Sequence, residues 1–280
     1  MINKINWFPG HMKRALNLIK NNLQKTNIVL EILDARAPFS SKNPLTEKII
    51  KNQTKIILLH KSDIAQTTEI IKWKKYFENL GNTVIISNIY KKGMRKQIID
   101  IIKKITVVKK IKNYKEKIKV LIIGVPNVGK SSIINLLSGK KSAKVANKPG
   151  YTKNIQIVKI NEEINLFDMP GILWHNLVDQ SIAKKLAILD MIKNEIVDNI
   201  DLALYLLEIM DQNNKNILLK KYKIIYHKNS LDILQNFAKA RKLIHKKNEI
   251  DLEKASKILI KEFREGKFGK IILDKNYNTF

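Results

Sequence analysis

The sequence predicts an α/β fold, a mostly parallel sheet with helices on both faces, followed by an all-helical region. Three observations carry this reading. Short β-branched runs alternate with helical stretches before residue 178, which is the pattern of strand–helix–strand units. Nearly all of these runs end in a polar or glycine-containing cluster, as strands do where their carboxyl ends open onto ligand-binding loops. Strand-like runs then stop near residue 178, and the remainder carries apolar residues at helical spacing.

Taken in order, residues 28–33 end in Asp34-Ala35-Arg36, residues 55–59 run into His60-Lys61-Ser62-Asp63, and residues 83–86 end at Ser87. Asp34-Ala35-Arg36 reads first as a structural strand end. The Lys-rich stretch 102–119 reads either as a solvated helix and linker or as a binding surface. Residues 120–123 lead into a glycine-rich turn, 155–160 follow without an end cluster, and 164–167 end in Asp168. Helical spacing then marks 182–192, 201–210, 231–243 and 252–263. Two domains are expected, 1–177 and 178–280, and no internal repeat is visible.

Composition narrows the function classes. With 44% hydrophobic residues in 280, the chain can bury a core and is not globally disordered. It has no cysteine, which excludes disulfides, zinc–thiolate sites and Cys nucleophiles. The opening MINKINWFPGHMKR lacks an apolar h-region, and no uncharged apolar run reaches the roughly 18 residues of a membrane span. A cytoplasmic protein with no membrane partner is expected. The formal net charge of +28 points to a polyanionic partner, nucleic acid first. Only five of the 53 basic residues are arginine, a Lys/Ile/Asn bias that AT-rich codons also impose, so charge alone is discounted.

Gly124-Val125-Pro126-Asn127-Val128-Gly129-Lys130-Ser131 fits the phosphate-loop pattern, directly after an apolar strand and before a helix beginning near Ser132. Backbone N–H groups from Asn127 to Ser132 would curl around the phosphates, and the helix N-terminus favours negative charge. Lys130 would reach the β- and γ-phosphates and the Ser131 hydroxyl would ligate magnesium. Asp168-Met169-Pro170-Gly171 closes a later strand. There Asp168 can hold magnesium through water, and Gly171 leaves room for its N–H to meet the γ-phosphate. Thr152, in the loop between these motifs, is placed to contact the metal and the γ-phosphate. Base identity is read earlier in the chain. In His60-Lys61-Ser62-Asp63, the Asp63 carboxylate can accept from guanine N1–H and the 2-amino group, and the Lys61 stem can lie over the base. His60 stands where guanine-binding proteins carry Asn, and is expected to donate toward the phosphate loop. Ser87 is expected to support Asp63 and the guanine carbonyl, with Asn88 in place of the usual Ala.

The base-reading loops precede the phosphate loop, the reverse of the usual order. With Phe8-Pro9-Gly10-His11-Met12, Asp34-Ala35-Arg36-Ala37-Pro38 and Gly266-Lys267-Phe268-Gly269, this order resembles the circularly permuted GTPases of the ribosome biogenesis GTPase A family, also called YlqF or RbgA. The resemblance covers nearly the whole chain. It implies a circularly permuted P-loop GTPase domain and a helical C-terminal domain that contacts ribosomal RNA. The implied activity is hydrolysis of GTP to GDP and phosphate with magnesium, stimulated by the large ribosomal subunit during its late assembly. RNA and proteins of that subunit are the implied partners, and the protein off the ribosome is expected to be a monomer.

Ile172 follows Gly171 where many regulatory GTPases carry a water-orienting Gln, so another group must position the water. His11 in its Pro-Gly turn is the candidate catalytic substitute, beside Lys130 and Thr152. Asn127 is either a potassium ligand or a cap for its own loop. Because 168–171 runs within about ten residues into the helical region, a nucleotide-driven shift there could rotate that region. The competing reading is a nucleotide-sensing RNA-binding scaffold with negligible intrinsic hydrolysis.

Overall fold

A computed structural model describes residues 11–50, 53–108, 117–139, 156–173, 179–192, 197–210, 212–225, 228–244 and 249–275, with the side chains of 11–15 and 212–213 outside that description. Strands β1 (Ile28–Asp34), β2 (Thr54–His60), β3 (Thr83–Ile86), β4 (Ile118–Ile123), β5 (Gln156–Lys159) and β6 (Ile164–Asp168) form one sheet in the order β3-β2-β1-β4-β6-β5. Every pair is parallel except β5 with β6. The central strands read as nearly continuous Ile, Val and Leu because both faces are covered, and every residue of β1 is buried.

Alternation of side chains sorts these strands into two faces. Leu33, Ile57 and Leu59 point to helix α3 (Thr67–Asn79), where Trp73 and Phe77 are buried. Val29, Leu121 and Ile123 lie on that side too, under Ile19 and Leu23 of α1 (His11–Leu23). On the opposite face Leu30, Ile32, Leu58 and Ile122 join a larger core with α4 (Met94–Val108) and α5 (Lys130–Ser138). The short α2 (Pro44–Ile49) follows an Asn43 cap that accepts from Leu45 N–H at 2.9 Å.

The large core does not stop at residue 178. It continues into α6 (Gln180–Ile188), α7 (Asn199–Ile209), α8 (Gln212–Tyr222), α9 (Ser230–Ala240) and α10 (Leu252–Arg264). Four of these have Asp or Asn caps, at Asp179, Asp198, Asn229 and Asp251. Two helices end sooner than apolar spacing predicts. Asp190 and Lys242 adopt left-handed backbones, with φ of 65° and 53°, and the chain turns out of α6 and α9 just before them. Helix α8 was not anticipated. Its sequence QNNKNILLKKY is mostly polar, and tertiary burial of Leu218 and Leu219 holds it.

Beyond α10 the chain returns to the first part of the fold. Ile272 is buried with Leu33, Ala65, Trp73 and Phe77. Asp274 accepts hydrogen bonds from the N–H groups of Phe39 and Ser40, at 2.9 and 2.8 Å.

Candidate nucleotide-binding site

The parallel register brings the chemistry to one edge. Asp34 is level with His60 across β1 and β2, and Ile122 is level with Asp168 across β4 and β6. The loops after these strand ends therefore converge where ligands bind in such sheets.

The phosphate loop leaves β4 through Gly124 and enters α5 at Lys130. Asn127 and Gly129 have φ of 55° and 110°, the left-handed backbone by which a loop can curl its N–H groups around an anion at a helix N-terminus. Gly129 also has no room for a side chain, because a Cβ would stand 2.5 Å from Cδ2 of His60. The Lys130 ammonium donates to the carbonyls of Gly124 and Val125, both at 3.0 Å. Burial pushes its pKa down to about 8, against the opposing pull of Asp168. It thus remains mostly charged at neutral pH. Asp168 is buried, its pKa raised to about 6 by desolvation, and its Oδ1 has no hydrogen-bond partner among the described residues. A buried carboxylate oxygen left in this way fits a cation. Gly171 presses on the loop: a Cβ there would lie 2.9 Å from Lys130 Nζ and from Pro126 N and Cα. Ser131 and Ser132 occupy the first turn of α5.

The loop expected to read the base is the 3₁₀ turn Ser62–Ile64, entered through Lys61 in a left-handed conformation with φ of 61°. Ser62 N–H donates to the carbonyl of Ser87 at 3.2 Å, which fixes the near end of the turn that carries half-buried Asp63. The Lys61 ammonium donates to Asp34 Oδ2 and to the carbonyl of Asn127, each at 3.1 Å. Asp34 also receives the Arg36 guanidinium on both oxygens, at 2.9 and 2.7 Å. Burial alone would raise the Asp34 pKa, but the Arg36 and Lys61 charges outweigh it and hold the carboxyl well below the usual range. Asp34 and Arg36 are therefore the structural strand end their sequence suggests.

Several predicted residues take places the sequence did not give them. The His60 ring makes its hydrogen bond to Ser87 Oγ, at 3.4 Å, and meets the phosphate loop by van der Waals contact with Gly129. Burial, then the Lys61 charge, lowers its pKa to about 4, so the ring is neutral at pH 7. Asn88 accepts from Tyr90 N–H at 2.8 Å and shapes its own turn. The Asn127 amide N–H₂ donates to the Asp190 carbonyl and carboxylate, at 2.7 and 3.2 Å. Both partners are acceptors, so the amide nitrogen is the end of the side chain committed to Asp190. Ile172 is a core residue, packed with Ile19, Leu23 and Met169. His11 is the first described residue of helix α1; its side chain lies outside the described residues, as do Pro9, Gly10 and all of Thr152.

Asp190 is the contact that sequence reasoning missed. It sits after α6, 63 residues from Asn127, and pairs with Arg264 of α10 at 3.3 Å. No local pattern announces it.

The 50S ribosome-binding GTPase family matches residues 119–243 of the chain. Ribosome biogenesis GTPase A of Bacillus licheniformis is 36% identical over 278 residues, covering 97% of this chain and 98% of that protein. The protein of that name from Thermotoga maritima is 31% identical, covering 97% and 94%. The chain belongs to the ribosome biogenesis GTPase A family. Among solved structures, GDP-bound TM YlqF is 28% identical with a TM-score of 0.68, covering 93% of this chain and 100% of that one. GNP-bound YlqF from T. maritima has a TM-score of 0.66 at 28% identity, covering 94% and 98%. The permuted motif order and the helical second part of this family member are thus those of a known GTPase fold.

Proposed function

We propose that this GTPase binds GTP, hydrolyses it to GDP and phosphate, and acts with the large ribosomal subunit late in its assembly. The observation that carries the nucleotide reading is the bond from Lys61 to the Asn127 carbonyl, which ties the base-reading loop to a phosphate loop 66 residues away. A site that joins guanine selection to a phosphate cradle has a nucleotide as its fitting ligand. Asp63 reads the base, with Ser87 supporting its loop and Lys61 lying along it. Backbone N–H groups from Asn127 to Ser132 take the phosphates, and Lys130 exchanges the carbonyls of Gly124 and Val125 for phosphate oxygens.

Ser131, Thr152 and Asp168 would hold magnesium, and the unpartnered Oδ1 of Asp168 supports that role. When bound, the ion neutralises charge developing on the β- and γ-phosphate oxygens. The side-chain amide oxygen of Asn127, whose nitrogen is committed to Asp190, is the atom proposed for potassium. His11 orients the attacking water, because buried Ile172 cannot; Ile19 of α1, the helix that carries His11, lies in the same buried cluster as Ile172. The region 178–280 supplies the surface for ribosomal RNA, in keeping with the net charge of +28. The protein works as a cytoplasmic monomer off the subunit, and no described helix is long and apolar enough to cross a membrane.

Phosphate release from GTP and from ATP, with and without purified large subunits, tests this reading. GTP turnover that rises with subunits and is absent with ATP is the expected result. Equal turnover of ATP would remove the guanine assignment. The burial of Ile172 favours one competing reading, a nucleotide-sensing RNA-binding scaffold. That reading gains if GTP binds the subunit complex yet no phosphate is released.

A further inference from the structure

Residues 266–274, which include the Gly266-Lys267-Phe268-Gly269 stretch, form a strap from the end of α10 to the base-reading loop. Ile271 N–H donates to the carbonyl of Ile64 at 3.2 Å, and Leu273 N–H to the carbonyl of Arg36 at 2.6 Å. Buried Asp274 fastens the far end. Besides the two backbone donors already described, its carboxylate accepts from Ser40 Oγ–H at 2.7 Å and from Lys185 at 3.0 Å. Its carbonyl accepts from the Trp73 indole N–H at 2.9 Å. At the near end Gly266 has φ of +73° and lies on the Ile64 side chain, where a Cβ would stand 2.7 Å from Ile64 Cγ2.

Ile64 is the neighbour of Asp63 in a three-residue 3₁₀ turn. So short a turn fixes little by itself, since its own hydrogen bond, from Ile64 N–H to the Lys61 carbonyl, spans 3.3 Å. The Ser87 carbonyl holds it at Ser62, and the strap holds it at Ile64 by both carbonyl and side chain. Asp63 stands between these two anchors. We propose that the strap 266–274 is a positioning element for Asp63, so that guanine affinity depends on how α10 is seated. The proposal rests on Asp63 reading the base. A displacement of α10, whose Arg264 also reaches Asp190 behind the phosphate loop, would then loosen the nucleotide at its base end.

The test uses the full chain and two ligands, GDP and inosine diphosphate, which lacks the 2-amino group that supplies one of the two donors to Asp63. Gly266→Ala adds the methyl that collides with Ile64. GDP affinity should fall about tenfold, mostly through faster dissociation, because part of a charge-assisted pair is lost. Inosine diphosphate, with one fewer bond at stake, should lose about threefold. Adding Ile64→Ala, which removes the struck methyl but leaves the left-handed backbone at 266 disfavoured, should recover part of the GDP affinity lost, measured against Ile64→Ala alone. Unchanged GDP affinity in Gly266→Ala, or equal losses for the two ligands, overturns the proposal. Should Gly266→Ala fail to fold, Asp274→Asn weakens the fastening with its shape kept and is judged by the same two criteria. Asp63→Asn is measured in parallel. If it leaves GDP binding intact, the base reading falls and the strap's role with it. If it weakens GDP binding while the strap variants do not, the strap proposal alone is overturned.

Discussion

Gly171 offers the sharpest test of how the site senses the third phosphate. In Gly171→Ala the new methyl would stand 2.9 Å from three atoms, Lys130 Nζ and the N and Cα of Pro126. Ordinary carbon contacts begin near 3.5–4.0 Å, so the overlap exceeds roughly half an ångström. The lysine end can swing aside, but the Pro126 backbone belongs to a loop whose curl is fixed by the positive φ of Asn127 and Gly129. The methyl must therefore push 169–173 away from the phosphate loop. Overpacking of this kind costs about 1–3 kcal/mol. GDP, held by the loop alone, should lose little. If Gly171 N–H meets the γ-phosphate, a non-hydrolysable GTP analogue should bear most of the cost, about tenfold to a hundredfold in affinity. Calorimetry with both ligands at fixed magnesium measures the ratio. Equal weakening of the two would show that Gly171 does not distinguish them. No change in either would show that the segment accepts the methyl without moving.

The other predictions concern single groups. Lys130→Ala removes a charged donor to phosphate, so GDP and GTP affinity should both fall tenfold or more, and calorimetric titration of either detects it. His60 has a folded pKa near 4 against an ordinary 6.5, so it costs no stability above about pH 6.5. Stability is lost as the pH falls toward 4, because the unfolded chain takes up the proton first. His60→Asn should therefore flatten urea-midpoint curves between pH 6.5 and 4. Asp168, raised to about 6, titrates with the opposite sign in both proteins and cancels in the difference. His11→Ala should leave GTP affinity nearly unchanged and reduce single-turnover hydrolysis on large subunits by about 10²–10⁴-fold. Near-normal rates would return His11 to a structural role.

What the sequence could show was set by distance along the chain. Strands were legible because a two-sided parallel sheet turns buried positions into β-branched runs, and all six predicted runs overlap strands. The phosphate loop was legible because its chemistry is packed into eight consecutive residues. His60 was harder. Read as a tetrapeptide it should donate to the phosphate loop, yet its ring lies flush on Gly129, a contact set by the absent side chain of a residue far ahead. Asn127 with Asp190, and Ile64 with 266–271, join points separated by most of a domain or more. Neither pair has a local signature. The motif Gly266-Lys267-Phe268-Gly269 was visible as a string, but only the fold shows that its first glycine rests on the base-reading turn.

These long connections bear on how the proposed subunit-binding surface should be mapped. Deleting everything past residue 178 looks like a clean way to separate the nucleotide site from the helical region. The removed part, however, carries Ile272 out of the cluster around Trp73 and Phe77. It also takes Asp274 from Phe39 and Ser40, and Asp190 from Asn127. Losing one buried aliphatic side chain of this size costs about 2–5 kcal/mol, and a domain holds about 5–15 kcal/mol in all. The opposite face fares no better, since α6 and α7 cover the large core there. The truncated chain should therefore lose its cooperative urea transition, or shift it far toward low denaturant, and bind GDP weakly. A truncation that unfolds at the full-length midpoint with full GDP affinity would refute this account of the interface. If instead it unfolds early, its failure to bind large subunits carries no information on where the RNA contacts lie, because the nucleotide site would have been lost along with the surface.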